Sequence, residues 1–289
     1  MIQLTNKELS DDTKAHLNQI QKGIDSEADF ALQAEKAQKA WKSKGNADGK
    51  QAFEEVKSTL KEMCVSTEVC NYCEQNEAMD IEHIAPKSFF PNHAFVWENY
   101  LLACKSCNTG YKLDHCYVLD QNGLSHKSKR GIEPTHKTHC FINPREEDPN
   151  YFLIFNSLTS KYILNHKLTQ SEKEKAKSTL EILKLNERPA LVEARKSAAK
   201  YFYRTIKELT EILNAKDLAE LKAILNPYDK IMDKKLSLLE TKEELKVIFK
   251  KEIQIHQHPS VWYAIKKVDS KTDDKWKALF DQVPEALHW

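Results

Sequence analysis

Two pairs of cysteines, Cys70-Asn71-Tyr72-Cys73 and Cys104-Lys105-Ser106-Cys107, restrict what this chain can fold into more than any other feature. A Cys-x-x-Cys turn brings both sulfurs to one side of the backbone, and two such turns fill the tetrahedral shell of one zinc ion. Four thiolates leave no position for water or substrate, so a zinc held by Cys70, Cys73, Cys104 and Cys107 is expected to be structural rather than catalytic. The stretch between the pairs is longer than the usual zinc-ribbon spacing, so the staple should enclose a small structured unit. Cys64, Cys116 and Cys140 have no partner of similar spacing and read as small buried hydrophobes.

The surroundings are those of an ordinary folded protein. At 289 residues, with 40% hydrophobic and 30% charged side chains, the chain can bury a sizeable core. It has no uncharged apolar run long enough to span a bilayer. Its start, MIQLTNKELSDD, lacks the basic-then-apolar order of a secretory signal, so a cytoplasmic protein is expected. In that compartment an odd total of seven cysteines suits metal ligation better than a disulfide framework. The net charge of +1 excludes a polycation that coats nucleic acid indiscriminately, so any phosphate-binding face must be local. The basic stretch from Ser125 to His139 is either such a face or a solvated loop; there Lys127, Lys129, Arg130 and Lys137 meet a single acid, Glu133.

Periodicity predicts an α+β chain that is mostly α-helical, with the stapled unit embedded between helical N- and C-terminal regions. The regions are 1–63, 64–150 and 151–289. Ser10 can cap a helix carrying Leu17, Ile20 and Ile24. A second stripe is Phe30, Ala34, Ala37 and Trp41, and a third is Phe53, Val56, Leu60 and Met63, the break between them marked by Gly45, Asn46 and Gly49. These stripes read as core. Short strands are expected at 81–84 and 100–104, and a hairpin at 151–156 and 162–166. Helical period then returns from Ser171, through Leu180 and Leu183 and a longer stripe from Leu191 to Leu213, to a helix opened by a capping box at Thr241 and Glu244.

Inside the staple the sequence runs Asp80-Ile81-Glu82-His83-Ile84-Ala85-Pro86-Lys87, then Trp97-Glu98-Asn99-Tyr100, then Cys107-Asn108. This order resembles the HNH endonucleases, in which an acid-His pair, a central Asn and a final His or Asn follow one another. The resemblance implies a ββα-metal fold and the hydrolysis of phosphodiesters. A neutral imidazole at His83 can take the proton of an attacking water. One hard ion, Mg²⁺ or Mn²⁺, held through oxygens of Glu82 and Asn108, can stabilise the leaving oxygen. To Asn99 the resemblance assigns the task of holding the loop and the His83 ring in place. Asp80 is either a second acidic ligand or a solvated residue. Lys87 is either a backbone-phosphate contact or a surface lysine. The family's usual lysine and glycine after the final Asn appear here as Thr109-Gly110-Tyr111-Lys112, and helical spacing would put Lys112 on the Asn108 face, where it could approach a phosphate.

The phrases IEHIAPKS, WENYLLACKSCN, FINPREEDPNYFLIF and LEILKLNERPALVEAR are similar to the HNH proteins found beside an ABC-type ATPase in Septu and certain retron anti-phage systems. That resemblance implies a nuclease subunit acting on nucleic acid, with DNA the expected substrate, and docking on an ATPase. The glutamates of NPREEDP have no chemistry of their own in this reading, which treats the segment as a turn into the next strand. The competing function is a zinc-dependent nucleic-acid or protein-binding module without catalysis. It needs the same staple but neither a base nor a second metal.

Overall fold

Ser10 begins the first helix, α1 (Asp11–Asp25), its hydroxyl oxygen accepting the Thr13 N–H at 3.3 Å. The computed structural model describes residues 1–225 and 236–289. In it α1 packs beside α2 (Phe30–Ser43), capped by Asp29, and α3 (Ala47–Glu62), and Glu55 of α3 accepts hydrogen bonds from the Ser10 backbone and hydroxyl at 2.6 and 2.7 Å. The break before α3 is shorter than expected, because Gly49 lies inside that helix's first turn. There its bare Cα sits so close to the Lys44 carbonyl that a Cβ would overlap it.

The stapled unit follows. Strand β1 (Asp80–His83) pairs antiparallel with β2 (Tyr100–Ala103), Glu82 opposite Leu101 and His83 opposite Tyr100. The chain then enters a π-wound segment, Ser106–Lys112, in which Leu113 N–H reaches back five residues to Asn108 O at 2.7 Å. Beyond it, β3 (Tyr117–Leu119) is the centre of a three-stranded sheet with β4 (Ser125–Lys127) and β5 (Thr138–His139). The basic stretch is therefore partly sheet. Strands of two and three residues are too short to display an alternating period.

Arg145 is the anchor of the NPREEDP segment. Buried against the Trp97 ring, its guanidinium donates to the Trp97 and Tyr100 carbonyls, and so fixes the entry to β2. Asp148 then caps a single turn, α4 (Pro149–Phe152), which delays the expected strand: the hairpin is β6 (Leu153–Asn156) with β7 (Lys161–Leu164).

Thr169 and Glu172 form a capping box opening α5 (Gln170–Leu183), and Pro189 starts the 26-residue α6 (Pro189–Asn214). After α7 (Leu218–Ile224) comes α8 (Leu238–Ile255), whose capping box is Ser237 with Glu240, one turn earlier than the expected Thr241 and Glu244. Thr241 instead lies buried within α8, its hydroxyl returned to the Ser237 carbonyl at 2.9 Å. The chain ends through α9 (Pro259–Ala264), α10 (Ser270–Thr272) and α11 (Asp274–Gln282). Part of the expected C-terminal helical region, 226–235, lies outside the described residues. The fold is α+β and mostly helical, and one hydrophobic core runs from Met1 through Leu101 and Phe202 to Ala286. Among the described residues no helix is long and apolar enough to cross a membrane.

Candidate active site

The four cysteines converge. Their sulfurs all lie within 4.8 Å of one another, and Cys73 Sγ stands 3.8 Å from Cys104 Sγ. Tetrahedral thiolates about 2.3 Å from one zinc would stand about 3.8 Å apart, so the donor set fits that ion. Donors aimed at the sulfurs suit thiolates as well. Cys107 N–H and Asn76 Nδ2 point at Cys104 Sγ, at 3.4 and 3.7 Å, and Arg188 Nη1 points at Cys107 Sγ at 3.3 Å. Hydrogen bonds from Cys107, Cys70 and Cys73 hold the Cys104 thiol far below its usual range, whereas burial pushes Cys70 well up.

The staple brings β1, β2 and the π-wound segment to one cleft of about 330 Å³, lined among others by Glu82, His83, Lys87, Asn108, Asp114 and Arg130. His83 is buried, and its Nε2 lies 2.9 Å from Ala94 O, an acceptor shared with the Tyr100 hydroxyl at 2.6 Å. A carbonyl can only accept, so Nε2 carries the ring proton and Nδ1 is the basic nitrogen. Burial holds this imidazole well below its ordinary range, and the Lys87 ammonium pushes it further, with Lys112 and Lys44 adding repulsion. The ring is thus neutral and a proton acceptor at physiological pH.

Asn99 is tied on three sides: its Oδ1 accepts from Ala85 N at 2.7 Å, while Nδ2 donates to Ala85 O at 3.0 Å and His93 O at 2.8 Å. The loop from Ile84 to Ala94, which presents the carbonyl to His83, is closed by these bonds. Asn108 donates through Nδ2 to Asp80 Oδ2 at 3.2 Å, so its carbonyl oxygen is the atom available to a cation. Glu82 is buried and pushed up by that burial, although Lys112 opposes the shift. Its Oε1 is taken by Lys112 Nζ at 2.6 Å, which leaves Oε2 for a cation in the cleft. Glu82 and Asn108 both line the cleft, and each offers an oxygen donor of the kind that suits a hard divalent ion.

Residues 70–112 match the HNH endonuclease family model. The chain carries an HNH module. Over 163 residues the chain is 31% identical to the Septu protein PtuB of Bacillus thuringiensis, an alignment covering 54% of this chain and 51% of that protein. The chain thus spans about half the length of this curated relative.

One of the expected contacts of the HNH module is corrected. Lys112 does not reach the surface: it is 0% exposed, and its amine bonds Glu82 and, at 2.7 Å, the His83 carbonyl. The π-wound segment advances less per residue than an α-helix, so Lys112 falls short of the Asn108 face and turns inward. Lys127 faces a separate depression with Tyr111, His115 and Glu181, and is not in the cleft. Lys129 is exposed in the connection from β4 to β5 and does not line the cleft, whereas Arg130 does, paired with Asp114 at 3.2 Å. Lys87 also lines it, 5.6 Å above the Trp41 ring.

Trp41 is the residue that sequence reasoning treated only as packing. From α2, outside the HNH module, it meets the His83 ring edge-to-face with centroids 4.1 Å apart, and Tyr100 supports the same ring at 5.3 Å. Arg188, just before α6, was given no role by the sequence; its guanidinium stacks on Tyr111 at 4.4 Å while Nη1 donates to Cys107 Sγ. Neither has a local signal, because each acts across a long chain separation.

Proposed function

We propose that this chain is a metal-dependent endonuclease that hydrolyses phosphodiester bonds of nucleic acid. The observation that carries the reading is the His83 ring, with Nε2 committed to Ala94 O in a cleft that also holds Glu82 and Asn108. Through Nδ1, His83 removes the proton of a water aimed at phosphorus, and the depressed basicity keeps that nitrogen free at neutral pH. Asn99 keeps the loop, and hence the Ala94 carbonyl, where it fixes the ring. Lys112 keeps Glu82 ionised in a buried position. A Mg²⁺ or Mn²⁺ ion bound to Glu82 and Asn108 would supply charge stabilisation to the phosphate and the leaving oxygen. Lys87 and Arg130 are the cations suited to hold the flanking backbone, and the four-cysteine zinc holds the turn that carries Asn108.

A module that only bound nucleic acid or protein would need the staple, but not a buried imidazole oriented through one nitrogen. The test is direct. The purified chain should cut nucleic acid with Mg²⁺ or Mn²⁺, and His83→Ala should lose cutting while keeping its zinc content and a cooperative unfolding transition; full activity in that variant would sink the mechanism. Likeness to a Septu protein over 163 residues supports a narrower reading: a cytoplasmic nuclease of an anti-phage system, acting on DNA with an ABC-type ATPase. Co-expression with an ABC-type ATPase encoded beside this chain, followed by co-purification and a DNA-versus-RNA cleavage assay, tests the partner and the substrate; absence of such a reading frame or of co-purification would remove the ATPase from the reading.

A further inference from the structure

A second groove, of about 520 Å³, opens beside the cleft and shares Trp41, Ile81, Asn108 and Thr109 with it. Its far wall is made by the end of α2 and one face of α3, where Lys50, Phe53 and Lys57 fall at helical spacing, and Lys44 stands at the turn between the two helices. Lys44 Nζ sits 4.4 Å above the Trp41 ring and donates to the Trp41 carbonyl at 3.3 Å, which fixes its charge at the junction of groove and cleft. Lys50 and Lys57 are exposed on the rim.

The charges of this wall are not neutralised by an ion pair among the described residues. Elsewhere in the same three-helix region Lys7, Lys14, Lys36, Lys39 and Lys61 each stand within 2.7 Å of a glutamate oxygen. Lys44, Lys50 and Lys57 are in no ion pair among the described residues, and the acids beside them are Glu54 and Asp80, the latter already accepting from Asn108. The floor is apolar, with Phe53, Ile81 and a Met79 that is 56% exposed. A row of ammonium groups without a carboxylate partner, over an apolar floor, suits a sugar-phosphate backbone: the cations meet phosphate oxygens, and the floor meets sugar and base edges.

We propose that the α2–α3 groove is the track along which one nucleic-acid strand leaves the active site, its phosphates held by Lys44, Lys50 and Lys57. The inference rests on the nuclease reading, because a strand with its scissile phosphate beside His83 passes Asn108 and Thr109 directly into this groove. The helical N-terminal region then does two jobs: Trp41 supports the base, and the adjoining lysines bind substrate. The Ser125–His139 stretch contributes only Arg130 to the cleft.

The experiment uses the full chain carrying His83→Ala, so that nothing is cut while binding is read. Fluorescence anisotropy with labelled DNA and RNA strands of about 20 nucleotides, at salt from about 50 to 200 mM, gives affinity and salt slope for the parent. The pair Lys50→Glu with Lys57→Glu should weaken binding at least about tenfold and lower the salt slope by about two, and Lys50→Arg with Lys57→Arg should restore both. Unchanged affinity and slope in the charge-reversed pair, whether or not Lys127→Glu with Lys129→Glu abolishes binding, would overturn the track and leave the groove to a partner protein. Cleavage by the wild type separates the two readings: if it cuts while the reversal changes nothing, only the track fails, and if it cuts no nucleic acid, the nuclease reading itself fails.

Discussion

Lys112 and Glu82 form a pair buried almost completely, and buried pairs respond unequally to losing one partner and to losing both. Lys112→Met should cost about 3–5 kcal/mol in urea unfolding, because the Glu82 carboxylate and the His83 carbonyl lose the ammonium that satisfies them. Adding Glu82→Gln should recover most of that loss, although the double variant lacks a metal-binding carboxylate; equal destabilisation of single and double variants would show that the pair is not coupled. His258 gives a pH dependence. Buried behind the staple, with Glu74, Arg195 and His256 around it, it is pushed down to about 4 from 6.5, chiefly by burial. Its folded pKa lies below its unfolded one, so its contribution is complete above pH 6.5 and is lost as pH falls toward 4, a change on the order of 3 kcal/mol. Comparing urea midpoints of wild type and His258→Gln across that window should show a shallower acid loss in the variant.

Among the elements, the zinc-bearing turns and the α2–α3 corner are where one substitution has the widest effect. Cys104→Ser should lose zinc and lower the melting temperature, and a chelator should do the same to the wild type; unchanged metal content would contradict a four-sulfur site. Gly49→Ala should destabilise by about 1–3 kcal/mol, since the new Cβ overlaps the Lys44 carbonyl and must part the two helices. Local order explains what sequence could tell. Ser10 and the cysteine pairs announce themselves within four residues, and the succession Glu82-His83, Asn99 and Asn108 is legible from its order inside the staple. The capping box of α8 was misplaced because Ser237-Leu238-Leu239-Glu240 and Thr241-Lys242-Glu243-Glu244 present the same pattern one turn apart, and only burial of Thr241 decides between them. The inward turn of Lys112 was hidden for a different reason: spacing implies an α-helix, and only the backbone reveals the wider π winding.

At the scale of the whole molecule, the three regions legible as changes of texture all contribute to the main hydrophobic core. The HNH module is braced from both sides, by Trp41 on the imidazole and by Arg188 on the zinc turn. Residues 64–150 expressed alone should therefore lack a cooperative unfolding transition even with zinc added; a sharp transition would mean that the flanking helices are dispensable for folding. Such bracing could not be read from the chain, because a tryptophan in a helical stripe has the same signature whether it faces a leucine or a histidine. Its edge-to-face placement has a practical consequence. Imidazolium quenches indole emission far more than neutral imidazole does, so the light lost on acidification by the wild type, and not by Trp41→Phe, reports the charge on His83 in the absence of any substrate. The protein carries its own optical titration of its base.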